Sequence, residues 1–400
     1  MIKKQSYLVP FILVTSLFFF WGFAHSILDV LNKHFQDALV ISKSRSALVQ
    51  AVVYGGYFLM ALPAGSIIKK WGYRTGVVTG LILYGIGALL FIPGERIMSF
   101  EFFLLSLFII GCGLTCLETA ANPYITVLGD KDSGPQRLNL AQSFNGLGWI
   151  CGPLVGGLLI FTGKSGNDGS VALPYAIIGI VVLIVAVVFS RIKLPEILIK
   201  NEDDIKGGLW KHTSFVFGVV ALFFYVAAQT GINSFFINYV TENIPAFNPR
   251  TAALILSFGG MGLFMIGRMG GSWIMKYIKA EKILMICAIG ASTCMMVVTF
   301  IPGKFALVAL LLCYLFESIM FPTIFALAIR GLDSANTKRA SSFLIMSIVG
   351  GAIAPVLMGI IGETNMAIGF IIPLFGFLII LAYTIWLHYE KIWQRYSVKT

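Results

Sequence analysis

The sequence predicts an all-α membrane protein whose twelve transmembrane helices form two six-helix, pseudo-symmetric halves. Three observations predict it: too little charge for a water-exposed surface, twelve apolar runs of spanning length, and residues that recur at an offset of about 200. The 400 residues are 58% hydrophobic and 12% charged, with a mean hydropathy of +0.89. A soluble domain carries roughly 25% charge, so ordinary soluble enzymes, fibres and disordered chains are excluded. At about 20 apolar residues per span plus a loop, the length allows roughly twelve crossings.

The first run, 8–31, follows Lys3 and Lys4 in the manner of a signal peptide. It is too long for one and lacks a small-residue cleavage site, so it is expected to remain as the first helix. The second and third runs, 46–68 and 75–93, flank Lys69, Lys70 and Arg74. Runs four to six span 101–128, 138–162 and 171–190, and the longest polar stretch, Arg191–Lys211, follows. That stretch holds Glu202, Asp203, Asp204 and Gly207-Gly208 and reads as a linker. Runs seven to twelve span 213–240, 251–275, 283–301, 304–329, 340–362 and 367–388. The expected organisation is a first half over 1–190, a cytoplasmic linker over 191–212 and a second half over 213–400.

Cytoplasmic loops retain Lys and Arg during insertion. With both termini inside, 21 basic residues fall inside and 7 outside, and Arg268 lies within a span. The net charge of +11 is therefore a topological signal, spread in small groups between apolar runs, and not a nucleic-acid surface. All six cysteines, Cys112, Cys116, Cys151, Cys287, Cys294 and Cys313, sit inside apolar runs, which argues for packing and against a disulfide framework or zinc spacing.

The halves echo each other. Glu118 and Pro123 recur as Glu317 and Pro322; Arg137 and Pro153 recur as Arg339 and Pro355. Gly65-Ser66 before Lys69-Lys70 parallels Gly271-Ser272 before Lys276, and Trp21, His25 and Asp29 align with Tyr225, Gln229 and Asn233. Parallel six-span repeats are a transporter architecture, with binding near the midplane between halves that rock.

An acidic side chain at the centre of a membrane helix costs about 2.5 to 3.5 kcal/mol on insertion scales, so it faces the bundle interior. Glu118 lies near the middle of its run, with Asn122 one turn on and Pro123 loosening the backbone. Asp29 is either inside the first helix, whose pattern continues through Val30, Leu31 and Phe35, or interfacial if that run closes at Leu28. His25 shares its face at i and i+4, placed to tune the carboxylate, to bind a hydroxyl or simply to pack. Gln142 and Asn145 in the fifth span, and Gln229 and Asn233 in the seventh, are paired amides. Such pairs bind polyol or sugar hydroxyls, or equally tie helices together. Glu317 is a third intramembrane carboxylate with Arg268 as its expected partner, and Arg268 otherwise has a structural or snorkelling role. Among the aromatics Trp21, Phe144, Trp149, Tyr225, Phe235, Phe236 and Phe321, those beside amides or carboxylates are placed to stack on a sugar ring.

The stretch Gly113-Leu114-Thr115-Cys116-Leu117-Glu118-Thr119-Ala120-Ala121-Asn122-Pro123-Tyr124, then Val127-Leu128-Gly129, is long and specific. With Arg137-Leu138-Asn139-Leu140-Ala141-Gln142-Ser143-Phe144-Asn145, Ala228-Gln229-Thr230, Ile266-Gly267-Arg268 and Phe321-Pro322-Thr323-Ile324-Phe325, it resembles the fucose permease family. These are proton-coupled symporters of fucose, galactose and glucose within the major facilitator superfamily. The resemblance implies a central cavity lined by the first, fourth, seventh and tenth helices, which carry Asp29, Glu118, Asn233 and Glu317. The family's protonatable Asp maps onto Asp29, its fourth-helix Glu onto Glu118, and its fifth-helix amides onto Gln142 and Asn145. This chain departs from the family in having His25-Ser26 where an Asn pair is usual, Phe321 for a Tyr, and Glu317, which leaves the identity of the sugar open.

The implied activity is proton-driven uptake of a hexose by alternating access, with Asp29 and Glu118 coupling protons. His25, Glu118, Asn122, Gln142, Asn145, Gln229, Asn233 and Phe321 would bind the sugar, with Glu317 and Arg268 as accessory groups. No cofactor or metal is implied; the partners are the sugar, the proton and the lipid bilayer, and a monomer in the cell (inner) membrane with both termini cytoplasmic is expected. The alternatives are an exporter of drugs or other organic solutes and a transport-inactive sensor. An enzyme is not expected, because no nucleophile constellation, metal cluster or phosphate loop stands in the sequence.

Overall fold

The computed structural model describes residues 8–127, 134–161, 170–192, 209–275, 277–301, 303–330, 332, 340 and 343–397, and every regular element among them is helical. Twelve helices are long and apolar enough to cross a membrane. They are α1 (Ile12–Leu39), α2 (Lys43–Ile68), α3 (Lys70–Ile97), α4 (Phe100–Ala121), α5 (Ala141–Ile160) and α6 (Ala172–Arg191). The others are α7 (Thr213–Asn243), α8 (Pro249–Gly271), α9 (Ala280–Phe300), α10 (Lys304–Ala328), α11 (Phe343–Ile361) and α12 (Met366–Tyr389).

Three details bear on the site. First, α1 continues to Leu39, past the expected end at 31. The extra turns are held by an i, i+4 ion pair between Lys33 and Asp37 at 2.8 Å and by burial of His34 and Phe35. Asp29 is therefore an interior residue of the helix, which does not close at Leu28. Second, the helical path from α2 into α3 kinks near the start of α3, at Gly72, whose φ of +81° is a conformation that glycine adopts without a Cβ clash. Third, α10 is broken. Its first segment ends at Glu317, Ser318 and Ile319 form a turn, and helix resumes at Met320.

The chain divides into two compact units. One lies within Met1–Ile41, Leu48–Ile199 and Asn248–Ser257; the other lies within Ser42–Ala47, Lys200–Phe247 and Phe258–Thr400. Residues 193–208 of the expected linker lie outside the described residues. In the first unit α1 and α5 meet at Gly22, where a Cβ would come within 2.2 Å of the Asn145 carbonyl oxygen, and Ser26 Oγ donates to Gly148 O at 3.1 Å. Small residues that allow backbones to approach are the usual basis of helix packing in lipid, where the hydrophobic effect between helices is absent. In the same unit Ser257 Oγ donates to Ile150 O at 2.6 Å. In the second unit Lys43 Nζ pairs with Glu242 at 2.7 Å and donates to the carbonyls of Gly362 and Glu363, while the Glu363 carboxylate accepts from the Lys43 and Ser44 amides.

Leu173, Ile177, Ile180, Ile184 and Val187 of α6 are exposed at helical spacing. Such a stripe faces lipid, and it explains why composition gives a cruder picture of this chain's core than of a soluble one. The six cysteines are unpaired within their helices.

Candidate functional site

The first unit gathers its polar groups on α1, α2, α4 and α5. Asp29 is 1% exposed, and its Oδ1 accepts from Gln50 Nε2 of α2 at 2.9 Å; no described residue hydrogen-bonds Oδ2. His25 lies one turn before Asp29 yet is not its partner. Its Nε2 meets the Tyr57 hydroxyl at 3.0 Å, and its ring is enclosed by Trp21, Tyr54, Tyr57 and Trp149, stacking on Trp149 at 13°. The Tyr57 hydroxyl also hydrogen-bonds the Glu118 side chain, so a single hydroxyl joins His25 on α1 to the half-buried carboxyl of α4. Of the fifth-helix amides, Asn145 is buried and spends an Nδ2 proton on Phe18 O at 3.2 Å, so it ties α5 to α1. Gln142 is half-buried one turn earlier. The Asn122 side chain lies outside the described residues.

The second unit holds a matching group on α7, α8 and α10. Asn233 is 2% exposed and its Oδ1 accepts from the Tyr314 hydroxyl at 2.8 Å, while Gln229 is half-buried one turn before it. Phe321 lies against Tyr225 and Phe325, with ring centroids 6.1 and 6.4 Å apart. Glu317 is fully buried, and among the described residues it does not pair with Arg268 as expected. Arg268 instead donates Nε to Ser318 O at 3.3 Å and lies over the Phe264 ring at 4.7 Å. The reason is the break in α10. Pro322 has no N–H for the Ser318 carbonyl four residues earlier, and the guanidinium supplies the missing donor. The Glu317 carbonyl accepts from the Tyr225 hydroxyl at 3.1 Å.

Gln50, Tyr57 and Tyr314 were not among the sequence-derived site residues. Gln50 carried a legible signal, being a lone amide in an apolar run; the two tyrosines are two of 14 and carried none.

Comparison with known proteins places these clusters in context. The Major Facilitator Superfamily profile matches residues 11–355. The L-fucose-proton symporter of Escherichia coli (strain K12) is 38% identical over 95% of this chain and 93% of that protein. The chain belongs to the fucose permease family of the major facilitator superfamily. A glucose/galactose transporter of Brucella abortus is 34% identical over 92% of each chain. The crystal structure of the family member FucP in the outward conformation superposes with a TM-score of 0.71 at 37% identity, covering 96% of this chain and 99% of that one. A D-xylose-proton symporter shares the fold at 15% identity with a TM-score of 0.75. The chain is thus a multi-pass membrane protein with the major facilitator fold.

Proposed function

We propose that this protein takes up a hexose or related sugar, such as fucose, galactose or glucose, together with a proton. The observation that carries this reading is the Asp29 carboxyl, buried in mid-helix with Gln50 on one oxygen and no described partner on the other. A carboxyl removed from water favours its neutral form and gives up its proton when the surroundings change, which is the chemistry of a coupled carrier. Glu118, linked through Tyr57 to His25, binds sugar hydroxyls and communicates occupancy. Gln142, Asn145, Gln229 and Asn233 supply further amide donors and acceptors, Asn122 adds another, and Phe321 offers an apolar ring face. The chain is organised for this as halves 1–190 and 213–400 joined by the 191–212 linker. It acts as a monomer in the cell (inner) membrane with both termini cytoplasmic, and it catalyses no bond rearrangement. With one proton per neutral sugar, about 100 mV supplies about 2.3 kcal/mol, or roughly a fifty-fold gradient.

The test is purified protein in liposomes, with interior pH followed as single hexoses are added outside. Acidification with one sugar and not with its epimers is expected. Sugar entry without acidification would make the protein a facilitator, and competition by cationic solutes would favour an organic-solute exporter.

A further inference from the structure

The carboxyl of Glu317 has no place in the coupling scheme above, and it is the most conspicuous group left over. It is 0% exposed, and neither of its oxygens finds a hydrogen-bond partner among the described residues. The backbone around it is, by contrast, fully served: Tyr225 takes the Glu317 carbonyl and Arg268 takes that of Ser318. Gly267 makes the latter contact possible, since a Cβ there would lie 2.5 Å from Ser318 Oγ and 2.7 Å from Leu315 O. A guanidinium is thus anchored on the residue next to Glu317, yet makes no ion pair with it. An enclosed bare carboxylate with no hydrogen-bond donor and no ion pair is costly, and protonation removes the charge.

We infer that Glu317 is a further proton-binding site, occupied in the conformation described here, with Arg268 as the counter-charge that captures the carboxylate after ionisation. On release the O–H bond breaks, the proton passes to water, and the guanidinium exchanges the Ser318 carbonyl for the carboxylate. Among the described residues, the titratable side chains tied to Glu317 are Cys313 on its own helix and Tyr225 from α7, whose hydroxyl donates to the Glu317 carbonyl. Neither is a cation, so Arg268, anchored on the next residue, is the charge that responds.

The test is pH-induced infrared difference spectroscopy on the full purified chain, which needs no sugar and so stands or falls separately from the transport reading. A carboxylic-acid C=O band that titrates with pH is expected, absent from Glu317→Gln and retained in Asp29→Asn. Arg268→Gln should move its titration upward by at least one pH unit, a tenfold change in proton affinity. Should Glu317→Gln not fold, Glu317→Asp must keep an acid band displaced in frequency. Identical spectra for the parent chain and Glu317→Gln, or a band unmoved by Arg268→Gln, would overturn the inference.

Discussion

Gln50 Nε2 donates to Asp29 Oδ1 across 2.9 Å, with both residues buried, so the acid of α1 is oriented by an amide of α2. This contact leaves Oδ2 as the oxygen that no described residue hydrogen-bonds. A hydrogen bond to a charged group is worth about 1.5 to 3 kcal/mol. An amide donor favours the ionised acid, so Gln50→Leu should let Asp29 hold its proton to higher pH. The alkaline limb of uptake should move upward by about one to two pH units, measured as initial uptake rate against pH. An unchanged profile would make Gln50 a packing residue.

Asp29→Asn preserves the shape of the side chain and removes its titration. Uphill accumulation should vanish, a loss of about fifty-fold at 100 mV, while sugar-for-sugar exchange remains measurable. Normal accumulation by the variant would remove Asp29 from the coupling role.

The Tyr57 hydroxyl joins His25 and Glu118. Tyr57→Phe keeps the ring and releases both partners, so the KM for sugar exchange should rise roughly tenfold, about 1.4 kcal/mol, with little change in maximal rate. An equal fall in both parameters would point to a damaged fold instead.

Glycines on the interior helices differ sharply in what they tolerate. A Cβ at Gly22 would collide with the Asn145 carbonyl, whereas one at Gly146 meets nothing within 4 Å. Gly22→Val should abolish the monodisperse species in detergent and Gly146→Ala should leave it intact, as size-exclusion chromatography of the two variants will report.

At Gly359 a Cβ would come 2.7 Å from Ser44 Cα and 2.8 Å from Lys43 O. Gly359→Val should therefore lift the Ser42–Ala47 segment from its contacts with Glu242, Gly362 and Glu363. A Ser44→Cys reporter should then react with a polar maleimide about tenfold faster than in the Gly359 background, corresponding to ~1.4 kcal/mol. Equal rates would show that the segment does not depend on this close approach.

The sequence by itself determined the number of spans, the internal repeat and the family, and it singled out three carboxylates within apolar runs. Those signals are one-dimensional: run length, spacing, and the cost of placing Asp29, Glu118 and Glu317 in apolar stretches. It left open whether the first helix closes at Leu28 or runs on past Asp29, because Lys33 and Asp37 look like a loop until they are seen paired on a continuing helix. Only the tertiary structure decided which partner each group takes. Gln50 rather than His25 meets Asp29, Tyr57 meets His25, and Arg268 serves a carbonyl rather than Glu317. In a helix apolar on every side, hydrophobic periodicity does not tell a lipid-facing side from a protein-facing one. Partners from helices distant in sequence are set by how close two backbones come and at what angle, and by the carbonyl that a proline such as Pro322 leaves without a donor.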